Sequence, residues 1–434
     1  MKTGLRIVAG FLFLFIAGVI SLGVFLSKGK ELQAWHFPSP FAFVEPFDYE
    51  NSSFTDYIAW SERRIRASRT DAPDETVINN LKPFLLEPEQ DCPVNPDGKF
   101  PDGIVLVHGL IASPWSMKPI GEFFNSRCFY VLSILLPGHG TRPGDMLGVT
   151  WEDWDDEVRY ATRLLAQQVD RVYVSGHSAG GTLAVLEAAR NPEVDALILF
   201  APALKVDEAS RYAGYIQYLG RFFPAASWFE MEPEDGVYRY ESFPFSAAAD
   251  TWDLIQETNK TLGQNPLDIP IMTIASAEDT TVDVQTTFEF MQGQEHPASF
   301  TLLYSQYTLP SYLGTSVQNS NVPEQGILSL SHLGLMTPPE HPHYGVNGDY
   351  HYCSQYFGLP NADFEQCKAG QRDFYGEITE ANMGQGIIER IAFNPFYDEL
   401  LREIDLFLEQ VGLDQRGIPL QRQIQDNFPR NIDN

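Results

Sequence analysis

The sequence predicts an α/β protein: a mostly parallel sheet with helices on both faces and an inserted helical cap. Three observations carry this. Short apolar runs at 104–107, 130–135, 171–175 and 196–200 alternate with stretches of helical periodicity, which is the rhythm of strand–helix–strand units. From 205 to about 262 the alternation stops and aromatic residues recur at helix-like spacing, as expected of an insertion. The β-branched run Val172, Tyr173, Val174 passes through Gly176-His177-Ser178-Ala179-Gly180 directly into a helix-forming segment. A sharp strand-to-helix turn of this kind holds a serine oxygen clear of the packed sheet, and its glycines avoid collisions with neighbouring backbone.

The chain has 434 residues, 44% of them hydrophobic and 13% aromatic, enough for one large domain with insertions or two ordinary ones. Its 58 acidic against 29 basic side chains give a formal charge of −29. Such a surface repels polyanions, so nucleic acid is not an expected partner. Residues 5–26 are almost wholly apolar behind Lys2 and Arg6, long enough to cross a bilayer. The exit reads FLSKGKELQ, without the small-x-small site of a cleaved signal. The reading is therefore an N-terminal membrane anchor over 1–30, with an uncleaved signal as the variant of it. Cys92, Cys128, Cys353 and Cys367 allow three pairings. Cys353 and Cys367 bracket a polar loop, which leaves Cys92 with Cys128; the alternative is four buried thiols. Disulfides imply an oxidising compartment, hence an extracytoplasmic (periplasmic or extracellular) catalytic domain.

Residues 31–80 read as a proline- and aromatic-rich linker over 36–50 and a helix over 53–68. The catalytic domain is expected over 81–412, with the cap at about 205–262, a late loop insertion at about 306–385, and a tail at 413–434. Within it, 81–86 reads as a first strand. Ser113-Pro114 opens a helix, and Thr150 caps one carrying Trp154, Val158, Ala161 and Leu165 at helical spacing. Residues 209–223 read as cap helix, 269–275 as the strand after the cap, 300–304 as the last clear strand, and 387–411 as a closing amphipathic helix. Tyr212, Tyr215, Ile216, Leu219, Phe222, Phe223, Trp228 and Phe229 are candidates either for lining an apolar pocket or for packing the cap on the body.

A serine nucleophile needs a base for its proton and a carboxylate to orient that base. For a serine elbow of this type the chain order is serine, acid, histidine. After the strand at 269–275 the sequence offers Glu278, Asp279 and Asp283. Asp279 stands where the strand ends and the loop turns and is preferred, with Asp283 next. Chain order removes His36, His108, His139 and His177, and His296 lies at the wrong edge of the sheet. His332, in the apolar setting SLSHLGL, is preferred over His343, His341 and His351, which lie in a polar loop. The spacing of those three matches no metal-ligand pattern, so neither metal nor cofactor is expected. Two backbone donors are needed for an oxyanion: the N–H of Ala179 and, from the loop after the 104–107 strand, that of Leu110.

From residue 81 to 411 the chain resembles the α/β-hydrolase superfamily, on VLVHGL (105–110), SPWSM (113–117), LPGHGT (136–141), WEDW (151–154), GHSAG (176–180) and RIAFNPF (390–396). It is similar to the branch of monoglyceride lipases, carboxylesterases and serine aminopeptidase-like hydrolases. The resemblance implies an α/β-hydrolase fold, Ser178 as nucleophile, Leu110 as oxyanion donor, Asp279 as acid and His332 as base. The long loop before His332 and the cysteine-containing insertion after it depart from that pattern. The expected activity is hydrolysis of carboxylic esters, with a small-molecule or lipid-like ester as partner. A serine aminopeptidase or amidase is the alternative enzyme, and an inactive hydrolase-like binding module the alternative of another class.

Overall fold

The computed structural model describes residues 17–40, 46–69, 71, 73–307 and 314–414. Eight strands form the central sheet: β1 (Phe84–Leu86), β2 (Phe100–Val107), β3 (Tyr130–Ser133), β4 (Val169–His177), β5 (Val194–Phe200), β8 (Ile271–Ser276), β9 (Phe300–Ser305) and β10 (Thr315–Asn319). Their order is β1-β3-β2-β4-β5-β8-β9-β10, and every pairing is parallel except that of β1 with β3. The central strands are continuously apolar because both faces are covered. Along β2, Ile104 and Leu106 enter one core while Val105 and Val107 enter the other; along β5, Ile198 and Phe200 oppose Leu197 and Leu199. The period of two thus sorts a uniform hydrophobic run into two separate cores.

The helices are α1 (Phe54–Ser68), α2 (Glu75–Leu81), α3 (Lys118–Ser126), α4 (Trp151–Ala166), α5 (Ala179–Arg190), α6 (Phe245–Leu262), α7 (Val284–Gln292) and α8 (Tyr397–Asp414), besides shorter turns. Capping boxes start α1 (Ser53 with Asp56) and α4 (Thr150 with Asp153), each satisfying two otherwise orphaned N–H groups. Ile120, Phe124, Ile404 and Phe407 of α3 and α8 lie in one core, and Trp154, Leu183 and Leu254 of α4, α5 and α6 in the other.

Several expectations need correction. Residues 209–223 form no continuous helix but three short turns, Glu208–Tyr212, Ala213–Ile216 and Gln217–Arg221; Gly214, Gly220 and Pro224 interrupt the segment. The cap's long helix is α6, and a two-stranded ribbon of β6 (Trp228–Glu230) and β7 (Phe243–Pro244) precedes it. The closing helix starts at Tyr397 rather than 387, because Pro395 holds Asn394 out of helical geometry. Upstream of it β12 (Ile388–Arg390) pairs with β11 (Phe374–Gly376). The last strand of the sheet is β10, a polar edge strand with no apolar run to announce it. The helix expected after Ser113 begins as a 3-10 turn (Pro114–Met117), and the run at 81–86 is the end of α2 followed by β1.

Cys92 is joined to Cys128 and Cys353 to Cys367. The first bond ties the approach to β2 to the start of β3. The apolar run at 5–26 falls outside the described residues for 5–16; residues 17–27 are helical. Among the described residues no helix is long and apolar enough to cross a membrane. The tail from 415 onward also lies outside them.

Candidate active site

Ser178 sits between β4 and α5 with φ +56° and ψ −120°, backbone that a non-glycine residue adopts only under constraint. The constraint is a set of main-chain bonds. Its N–H donates to Phe200 O at 2.9 Å, and its carbonyl accepts from Gly181 (2.9 Å), Ala203 (3.1 Å) and Thr182 (3.2 Å). The glycines permit this close approach. A Cβ on Gly176 would stand 2.1 Å from Gly180 O, and one on Gly180 would stand 2.4 Å from Val107 O and 2.5 Å from His108 O. Both obstacles are backbone and cannot move aside. Gly180→Ala is therefore expected to destabilise the fold by about 1–3 kcal/mol, read as a lowered thermal midpoint.

The loop after β2 is pinned by two buried histidines. His108 Nδ1 donates to Gly109 O at 2.8 Å, and its Nε2 accepts from Leu136 N–H at 3.1 Å. His139 Nε2 accepts from Ile111 N–H at 3.0 Å. Burial keeps both rings neutral, His108 well below its ordinary range and His139 at about 4. These histidines shape the segment carrying Leu110 and leave proton transfer to another group.

Asp279 follows β8. Its Oδ2 lies 2.7 Å from His332 Nδ1, and its Oδ1 accepts from Thr281 N–H (2.7 Å) and Val282 N–H (3.0 Å). Burial opposes ionisation of this carboxyl. The His332 charge and the hydrogen bonds from His332, Val282 and Thr281 outweigh burial and hold it below the usual carboxylate range. The pairing fixes the imidazole with its other nitrogen, Nε2, directed away from Asp279. His177 donates from Nε2 to His332 O at 3.0 Å. Burial first, then the His332 ring, hold His177 down to about 3, so it acts as a neutral donor.

Ser178, Leu110, Ala179 and His332 line a single cavity of about 570 Å³. The structure thus brings together every residue singled out for nucleophile, base and oxyanion donors, with Asp279 directly behind His332. The runners-up lie elsewhere. Asp283 caps α7 through Gln285 N–H at 3.0 Å. Glu278 joins the ends of β8 and β9 by accepting from Ser305 Oγ and Gln306 N–H. His343 is hydrogen-bonded to Asp349 and packed on Trp115, Tyr238 and Tyr344; His341 caps its own turn; and His351 pairs with Glu389 at 3.0 Å. Of the candidate cap aromatics, Phe229 lines the cavity, whereas Trp228 is buried against His36 and Tyr215 and Phe222 face solvent.

Two residues escaped the sequence reading. Glu377 follows β11 and Arg390 ends β12; both are buried. Glu377 Oε2 accepts from the His332 backbone N–H at 3.1 Å and from Arg390 Nη2 at 2.9 Å, while Arg390 Nε stands 2.7 Å from Glu377 Oε1. Arg390 also donates to Thr281 Oγ1 at 2.6 Å. One buried ion pair therefore touches both the base loop and the acid loop. A lone charged pair, Glu389-Arg390, inside the apolar stretch GIIERIAF was the only available signal. The late insertion also supplies cavity wall, through Tyr344, Tyr350, Tyr352, Ser354 and Gln355.

Residues 104–303 match the alpha/beta hydrolase family. A thermostable monoacylglycerol lipase of Bacillus sp. (strain H-257) is 27% identical over 217 residues, covering 50% of this chain and 82% of that protein. A monoglyceride lipase homolog of monkeypox virus is 25% identical over 216 residues, 44% of this chain and 76% of the relative. Among solved structures, a monoacylglycerol lipase of Paleococcus ferrophilus has a TM-score of 0.41 at 17% identity, covering 51% of this chain and 88% of its own. The family match takes in Ser178 and Asp279 and ends before His332, which stands on geometry. Through residues 104–303 the chain is similar to the α/β-hydrolase family.

Proposed function

We propose that this protein is a serine hydrolase of carboxylic esters with lipid-like substrates. Ser178 attacks the acyl carbon, and His332 accepts its proton and passes it to the leaving alcohol. Asp279 orients His332 and stabilises its charged form, and water then releases the acyl-enzyme. The N–H groups of Leu110 and Ala179 receive the oxyanion; losing one such donor costs about 3 kcal/mol of transition-state stabilisation. The observation that carries this reading is the 2.7 Å His332–Asp279 contact behind a cavity that also contains the strained Ser178. The relatives named as monoacylglycerol lipases support ester over amide chemistry. We further assign the domain to an oxidising, extracytoplasmic compartment on its two disulfides, with the apolar run at 5–26 as its membrane anchor.

An aminopeptidase reading finds some support in Glu230, Glu232 and Glu241, which line the cavity and could face a cationic amine. Burial first, then the neighbouring Glu230 and Glu241, push Glu232 up to about 8. That shift favours its uncharged form, which suits hydroxyl groups better than an ammonium. A fluorophosphonate probe should label wild type and leave Ser178→Ala unlabelled. A panel of p-nitrophenyl esters of rising chain length beside aminoacyl arylamides should show turnover of the esters. Equal labelling of Ser178→Ala, or turnover confined to the arylamides, would overturn the assignment.

A further inference from the structure

The described part of the N-terminal helix, residues 17–27, lies on the cap. Gly23 is in contact with the Phe223 ring, where a Cβ would come within 2.3 Å. Leu26 packs against Ala213, Phe245 and Ala249, and Lys30 donates to Trp228 O. From there aromatic contacts run on to the cavity: Phe245 meets Phe229 edge-on at 5.5 Å, and Phe229 lines the space containing Ser178. Helix, cap and cavity mouth are therefore one continuous region.

That region is apolar and open. Most of the large hydrophobic side chains exposed among the described residues lie on these two pieces. Phe25, Tyr215 and Phe222 are 72%, 73% and 77% exposed, with Val24, Tyr218 and Phe229 also facing solvent. Exposed apolar patches this extensive mark interaction sites. Its charge is the reverse of the rest of the molecule. In a chain of net charge −29, residues 209–229 contain no Asp or Glu and carry Arg211 and Arg221; residues 17–30 likewise contain none and carry Lys28 and Lys30. The Arg211 guanidinium lies 4.6 Å from the Tyr212 ring centre and that of Arg221 5.4 Å from Tyr218. Aromatic rings interleaved with cations are the chemistry of the bilayer headgroup zone, and local positive charge favours anionic lipid. The apolar sequence at 5–16 leads directly into this surface.

We infer that the exposed aromatic face formed by residues 209–229 of the cap and the helix at 17–27 is a docking surface for an anionic lipid bilayer, holding the cavity mouth against the membrane. The inference adds to the esterase reading a lipid-borne route for the substrate, and its surface component stands apart from catalysis.

The test uses full-length protein with phosphatidylglycerol-containing vesicles, comparing wild type with the combined variant Tyr215→Ser, Tyr218→Ser, Phe222→Ser. These three side chains are exposed and lie outside the cavity lining. A vesicle-embedded diazirine lipid should tag peptides from 209–229 in wild type, and the tag should be lost in the variant. This readout needs no turnover. Hydrolysis of a long-chain ester embedded in the vesicles should fall about tenfold or more, while a soluble short-chain ester is hydrolysed within about twofold of wild type because the catalytic groups are untouched. Arg211→Glu with Arg221→Glu should abolish the preference for phosphatidylglycerol over phosphatidylcholine vesicles. No tagging of 209–229 in wild type, or an unchanged ratio of vesicle to soluble rates in the variant, would overturn the inference. A wild-type dimer that the aromatic variant converts to monomer, with no lipid tag, would replace the bilayer by a second copy of this chain. If wild type hydrolyses neither ester yet is tagged at 209–229, the esterase reading fails and the docking surface stands.

Discussion

Asp279→Asn is expected to lower kcat on a p-nitrophenyl ester by about 10⁴-fold with little change in fold. The carboxylate accepts from His332 Nδ1 and from two backbone N–H groups. An asparagine must satisfy those same N–H donors with its oxygen, and so turns its amide N–H₂ towards Nδ1. The imidazole then carries its proton on Nε2 and has no lone pair to offer Ser178. His332→Ala should fall to a similarly low rate. Asp283→Asn should stay within about twofold of wild type, because that side chain caps α7 and its replacement can still accept from Gln285. Active-site titration with a fluorophosphonate separates lost chemistry from lost protein. Full activity in Asp279→Asn would move the acid elsewhere.

Glu377→Gln is expected to lower kcat by about 10²-fold, the effect of displacing a reacting group by roughly 1 Å. It should also cost about 3–5 kcal/mol of stability, because Arg390 is left buried without its counter-charge. The two effects can be separated. In the double variant Glu377→Leu, Arg390→Met both charges are gone, and apolar replacement of a buried pair is often neutral or better for stability. The thermal midpoint should recover while kcat stays low, since nothing then holds the His332 N–H or Thr281 Oγ1. Recovery of kcat together with the midpoint would mean that the ion pair serves the fold alone.

The contrast between these experiments tracks what a sequence can display. The elbow at Ser178 was legible because strand propensity, three glycines in fixed register and a helix start all coincide within a few residues, and backbone sterics at Gly176 and Gly180 demand that pattern. Asp279 was legible through chain order and its place at a strand end. His332 could be preferred over the loop histidines because an apolar neighbourhood signals proximity to the sheet. Glu377 and Arg390 were not legible as partners. Their contacts reach back 45 residues to His332 and 109 to Thr281, and no local period or motif encodes a pairing across an insertion. The cap failed for another reason: aromatics at helical spacing in 209–223 promised a helix, and the glycines and proline within and after them broke it. β10 was invisible because an edge strand needs no apolar run, only a neighbour with free backbone groups.

The Cys353–Cys367 bond takes on a wider meaning in this light. The loop it closes lies on β12: Gln355 donates to Ile388 O at 2.6 Å, and Ile388 N–H donates to Tyr356 OH at 2.7 Å. Two residues further on stands Arg390, gripping the loops of both acid and base. A sulfur bridge beside the cavity wall thus closes the loop that lies on the strand of Arg390, whose guanidinium meets Thr281 of the acid loop directly and the His332 backbone through Glu377.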